Sequence, residues 1–160
     1  MIYSTIIKNA YIPVDNEMVE TSILIKDEQI SGYVRSSEGL VAENVIDAEG
    51  NLVLPGCIDS HVHFMEPGFT HRENFSTGSH AAAAGGVTMV IDMPCCSIPS
   101  VRDIPSLENK LNAIRSQSLV DFGLWGGVTG EDVRNNNLTN VQKQAEQGVK
   151  IGRASCRERV

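Results

Sequence analysis

Apolar and polar positions alternate in short runs through the first fifty residues. Ile2, Ile6-Ile7 and Tyr11-Ile12 predict one or two short strands, with a turn at Lys8-Asn9. Ser22 to Lys26 is a further strand, turned at Asp27-Glu28-Gln29. Ile30 to Val34 and Val45 to Asp47 are two more. No helical period of useful length interrupts them, so the segment reads as a small antiparallel β unit.

The pattern changes at Leu52. An apolar run, Leu52 to Ile58, leads into Asp59-Ser60-His61-Val62-His63 and predicts a buried strand. Ser76 to Ala84 predicts a helix, rich in alanine and stopped by Gly85-Gly86. Val87 to Ile91 is a near-continuous β-branched run, expected for a strand covered on both faces. Asp103 to Gln117 carries Ile104, Leu107, Leu111 and Ile114 on one helical stripe. Val120 to Val128 is a third strand, Val133 to Gln147 a weaker helix on Leu138, Val141 and Ala145, and Gly148-Val149 opens a fourth strand. Strands alternating with helices predict parallel βαβ units, in an open doubly wound sheet or a (β/α) barrel.

Two histidines one residue apart face the same way only on a strand, where side chains repeat every second position. His61 and His63 therefore aim at one spot from a strand end, where barrel enzymes carry their functional residues. Imidazole is a common ligand of zinc and other transition metals, so the pair predicts a metal site. Asp59 is its expected supporting residue, held one step behind the ligands.

The remaining charges and motifs narrow the field. The chain has 160 residues and a net charge of −7, with no Lys/Arg cluster before its end. That argues against nucleic acid and anionic membrane as partners. No apolar run approaches the roughly 20 residues of a membrane helix. The N-terminus lacks a basic head followed by an apolar core, which favours the cytoplasm. Cys57, Cys95, Cys96 and Cys156 match no Cys-x-x-Cys pattern and are expected as reduced thiols. Gly85-Gly86 precedes a strand and makes no phosphate cradle, and no Gly-rich loop follows the first barrel strand, against a doubly wound binding module. Asp92, at the end of the second barrel strand, is a further candidate for a supporting role behind the metal ligands. His80 is expected on the outside of the alanine helix, His71 and Glu66 in a loop over the site, and Trp125 in the core.

Leu54 to Gly68, with Thr77 to Thr88 and Asp92-Met93-Pro94, resembles the amidohydrolase superfamily in its cyclic-amide branch, which contains allantoinase, dihydroorotase and hydantoinase. The resemblance runs over about residues 2–149. It implies an α/β fold, the N-terminal part of a (β/α)8 TIM-type barrel of about three βα units, preceded by a small β-sandwich segment. The expected division is 1–51 for the β segment and 52–150 for the incomplete barrel. The resemblance also implies a hydrolase that opens a C–N bond of a small cyclic amide or ureide with one or two metal ions, usually Zn2+, other divalent ions being alternatives. His61 and His63 map onto metal ligands of that plan. A bridging lysine, two further histidines and a general-base aspartate belong beyond residue 150, so no catalytic residue proper is assigned in this chain. Lys150 falls about two residues early for the lysine and is not given that role.

In dihydroorotases an arginine and an asparagine that bind the substrate carboxylate stand where this chain has Met65 and Cys95. Neither Met65 nor Cys95 offers a charge-assisted partner for a carboxylate. The stretch Pro67 to Gly78 resembles allantoinase more closely, so an allantoinase-like ureide hydrolase is favoured. Arg72 could still serve a carboxylate, which keeps dihydroorotase as the alternative, beside a non-catalytic scaffold homologue. Residues 151–160 break the family pattern and read as a non-native tail. A barrel of this kind needs about 250 residues, so this chain alone is expected to be inactive, and the parent protein is expected to be a homo-oligomer.

Overall fold

A computed structural model describes residues 2–136 and 138–150. The expectations for Cys156 and for the tail at 151–160 lie outside them. The chain divides into two compact units, Met1–Pro55 and Gly56–Val160. Among the described residues no helix is long and apolar enough to cross a membrane.

The first unit is a four-stranded sheet in the order β3-β2-β1-β4, built from β1 (Ile2–Val14), β2 (Glu17–Lys26), β3 (Gln29–Val34) and β4 (Val41–Asp47). The expected turn at Lys8-Asn9 is instead an irregularity inside one long strand. Asn9 takes φ 55° there and the register with β2 shifts between Ile7 and Ala10. Asparagine tolerates this left-handed conformation better than most residues, which makes a bulge and a turn look alike in sequence. Asp27 and Glu28, at φ 50° and 64°, do turn the β2–β3 hairpin. The unit is not wholly antiparallel: β4 runs parallel to β1, Ile2 opposite Val41 through Lys8 opposite Asp47. Alternation has period two in either direction, so it cannot reveal the crossover at residues 35–40. Leu52, expected to start the next strand, bridges Tyr11 instead.

The second unit is a parallel sheet in the order β5-β6-β7, from β5 (Cys57–Val62), β6 (Val87–Asp92) and β7 (Asp121–Leu124). Lys150 forms an isolated parallel bridge with Trp125, next to Gly148-Val149, where the pattern predicts a fourth strand. The connection from β5 to β6 runs through α1 (Phe75–Ala84), and that from β6 to β7 through α2 (Ile104–Ile114). Asn74 caps α1 and Asp103 caps α2, each in a reciprocal capping box with Thr77 and Ser106. The core lies between sheet and helices: Phe64, Phe75, Val90, Val101, Leu107, Ile114, Leu124 and Val149. Phe75 is its hub, edge-on to Phe64 at 5.1 Å and to Phe122 at 5.6 Å.

Two expectations change. The strands are covered fully on one face only: Val90 and Asp92 are buried, while on the other face Met89 and Ile91 are half-buried and Ile58, level with Met89, is 63% exposed. Their continuous apolar pattern fits a sheet closed on both sides, and among the described residues β5 has no neighbour on its outer edge. The weak last helix is two, α3 (Gly130–Arg134) and α4 (Thr139–Glu146). Its buried residue is Gln144, whose amide donates to the Arg102 and Asn140 carbonyls at 2.8 and 3.1 Å; Leu138 and Ala145 are exposed. A buried side chain that needs partners is invisible to a hydrophobic periodicity.

Two outcomes follow for the full-length protein. A Cβ at Gly78 would stand 2.6 Å from Cδ1 and Cε1 of the Phe64 ring. Overpacking outweighs the gain in helix propensity, and Gly78→Ala lowers urea stability by about 1–2 kcal/mol, part of it recovered by Phe64→Leu. In the first unit Asp47 accepts the Glu49 amide at 2.9 Å, the Lys8 ammonium at 2.9 Å and the Asn9 amide at 2.8 Å. These hydrogen bonds, the Glu49 amide first, lower its pKa from 3.8 to about 2. Because the folded value is depressed, the stabilising contribution is full above pH 3.8 and is lost as pH falls towards 2. Carboxyl NMR titration should give that midpoint, and Lys8→Ala should raise it.

Candidate metal centre

β5 ends at Val62, so His61 lies in its last turn of pleat and His63 immediately past it. Their rings are parallel within 6°, centroids 5.3 Å apart. The alternation foreseen for a His-x-His at a strand tip is present. Both histidines are exposed, and among the described residues neither ring has a hydrogen-bond partner. Two free imidazoles side by side are a donor set that fits a transition-metal cation. Asp59 does not touch either ring. Its Oδ1 accepts the His61 backbone amide at 3.1 Å, which fixes the strand end rather than an imidazole.

β6 brings a second group alongside. Val62 pairs with Asp92, and the Met93 amide donates to the Val62 carbonyl at 3.0 Å. The chain after β6 therefore passes beside His63, and Pro94–Cys96 forms a 3-10 turn there. One ligand atom each of His63, Cys95 and Cys96 lies within 4.8 Å of the others. Cys95 is exposed and Cys96 buried, and the described cysteines are free. Burial, followed by the nearby Asp92 carboxylate, pushes the Cys96 thiol far up.

Behind the site stands a buried polar network. Asp92 Oδ1 accepts the Phe64 amide at 2.8 Å, and its Oδ2 is paired with Lys110 of α2. Lys110 also donates to the Glu66 carbonyl at 2.9 Å and sits 5.7 Å over the Phe75 ring. Glu66 does not face the site: its carboxylate accepts the Phe75 amide and the Gln117 side chain, both at 2.8 Å. Burial raises the Asp92 pKa, opposed by the Lys110 ammonium and the Phe64 amide. Sequence reasoning missed Lys110. The signal was there: a lysine at i+3 from Leu107 and i−4 from Ile114, on the apolar stripe of α2.

The other candidates are scattered. Met65 is half-buried in a turn whose carbonyl accepts the Phe69 amide at 3.0 Å. Arg72 is exposed in the same loop, and His71 and His80 are exposed, the latter bonded to the Ser76 carbonyl at 2.6 Å. No hydrogen bond or ion pair joins Met65 or Arg72 to the histidines. Trp125 is half-buried, and its indole donates to the Ser60 carbonyl at 2.8 Å, tying the tip of β7 to the residue before His61.

The model of the Amidohydrolase family matches residues 52–155. The chain belongs to the amidohydrolase family. Within that family it is 49% identical over 124 residues to the dihydroorotase of Methanosarcina acetivorans, covering 78% of this chain and 26% of that protein. It is 39% identical over 147 residues to the allantoinase of Desulfitobacterium hafniense, covering 92% of this chain and 31% of that protein. The L-hydantoinase (dihydropyrimidinase) of Arthrobacter aurescens superposes with a TM-score of 0.83 at 30% identity, over 93% of this chain and 32% of that one. These relatives support the cyclic-amide branch of the amidohydrolase family. The chain spans between about a quarter and a third of their length.

The buried pair gives a measurable consequence. Lys110→Met in the full-length protein strands the Asp92 carboxylate and lowers stability by about 3–5 kcal/mol in urea denaturation. The double change Lys110→Met with Asp92→Leu recovers much of that loss.

Proposed function

We propose that the full-length protein carrying this chain is a metal-dependent hydrolase that opens the C–N bond of a cyclic amide or ureide, with an allantoinase-like ureide as substrate. The observation that carries the reading is the pair of unpartnered imidazoles, His61 and His63, at the C-terminal end of a parallel strand. Zinc, as one or two ions, suits that donor type. When bound, such a cation supplies Lewis acidity to the ring carbonyl and lowers the pKa of water from about 15.7 to about 7.

The chain's own part is positioning. Asp59 accepts the N–H and Trp125 donates to the C=O of the one peptide that joins Ser60 to His61, so that His61 is held at a defined angle. Asp92 fixes the amide that follows His63. Met65 and Cys95 bring no charge to the substrate side, which favours a neutral ureide over a carboxylate. The hollow of about 360 Å³ beside Ile7, Ile12, Ile23, Ile25 and Tyr33 in the first unit is apolar, and supports completion of that sheet as a β-sandwich. The open edge of β5, with Ile58 exposed, supports the expectation that the 160-residue chain is inactive by itself.

A second reading, dihydroorotase, is favoured by the 49% identity to the Methanosarcina acetivorans protein and by Arg72, whose exposed guanidinium has no ion pair among the described residues. Turnover of allantoin, dihydroorotate and hydantoin by the full-length protein, with metal analysis, separates the readings. Allantoin should be preferred. His61→Ala with His63→Ala should release metal and cut turnover by at least about 10³-fold. Preference for dihydroorotate would select the second reading, and bound metal with no turnover of any ring would mark a scaffold.

A further inference from the structure

Cys95 and Cys96 have no place in the chemistry above beyond the missing charge at residue 95. Their Sγ atoms stand 3.9 Å apart, and a ring nitrogen of His63 lies within 4.8 Å of both. In a tetrahedral centre with metal–sulfur bonds of about 2.3 Å, two sulfurs are about 3.8 Å apart and a sulfur and an imidazole nitrogen about 3.6 Å. The two thiols are thus already at bite distance, and the imidazole needs to close by about 1 Å, within the reach of a ring on an exposed side chain. Cys95 opens the group to solvent, while Cys96, at 1% exposure, gives it a fixed wall.

We propose that Cys95, Cys96 and His63 form a site for a soft, thiophilic divalent cation, one that draws His63 away from His61. Two sulfurs and one nitrogen are the donors that soft cations select, and hard, oxygen-seeking cations reject. Binding one cation displaces one proton from each thiol, so the Cys2His centre is neutral overall and the two protons pass to solvent. The site stands on its own geometry and is independent of which ring the protein opens.

The probe is Cd2+ alone, added to the metal-free full-length protein and followed by the ultraviolet thiolate-to-cadmium charge-transfer band. Cys95→Ser, a near-isosteric change on the surface, should lose half or more of the band of this site and weaken binding at least tenfold. His63→Ala should weaken binding about tenfold while the band survives at saturation. Cys57→Ser should leave both amplitude and affinity as they were, and His61→Ala should leave the amplitude while freeing His63 to bind at least as tightly. An unchanged titration in Cys95→Ser overturns the proposal, as does loss of the band in Cys57→Ser. Because the readout is thiolate ligation, a protein that hydrolyses none of the three rings would still pass or fail it.

Discussion

The second unit is organised around a charge that cannot reach water. Asp92 at the end of β6 and Lys110 on α2 are both fully buried, and each takes further partners from the loop after β5. A buried ion pair adds little net stability over a packed apolar pair, because desolvation offsets the attraction. Its effect is on geometry. Asp92 has one position for the Phe64 amide, Lys110 one for the Glu66 carbonyl, and the Glu66 carboxylate then caps the first amide of α1. A carboxylate at that helix start also meets the positive end of its dipole. The strand tip that carries the histidines, the loop and two helices are fixed by one chain of contacts.

That chain explains how two exposed imidazoles are held in place. His61 and His63 are exposed, stacked on each other, and among the described residues neither ring has a hydrogen-bond partner. Their placement comes from the backbone: Asp59 and Trp125 before them, Asp92 and Met93 after. The face of the sheet turned to the helices is closed by Phe75 and its neighbours, and the other is only half-covered at Met89 and Ile91 and open at Ile58. The parallel strands that aim the two imidazoles thus lie within a chain that spans a quarter to a third of its relatives.

Much of this was legible in the residues. The His-x-His at the end of an apolar run, the alanine helix stopped by two glycines and the capped stripe of α2 all carry local signals whose period or chemistry is specific. The parallel pairing of β4, the division of the last helix and the burial of Gln144 were not legible, since crossover direction and polar satisfaction leave no periodic trace. Glu66 shows the limit most clearly. A charge in a loop beside a metal motif reads as a substrate contact, yet its burial and its bond to the Phe75 amide make it part of the scaffold. Lys110 shows the converse, a charged residue on an apolar stripe that is core because its partner is buried with it.

The register between β5 and β6 makes His63 a member of two donor sets. Because Val62 is opposite Asp92, the residues that follow each strand run side by side, and a 3-10 turn beginning at Pro94 lifts two sulfurs to the level of the second histidine. Its ring is parallel to that of His61, and one of its nitrogens lies within 4.8 Å of both thiol sulfurs. Donor softness separates the two sets: paired imidazoles suit borderline ions, whereas two sulfurs and a nitrogen suit softer ones. The turn after β6 thus links the two proposals: residue 95 offers no charged or amide partner on the side of the histidines, and its sulfur is half of the thiol pair beside His63.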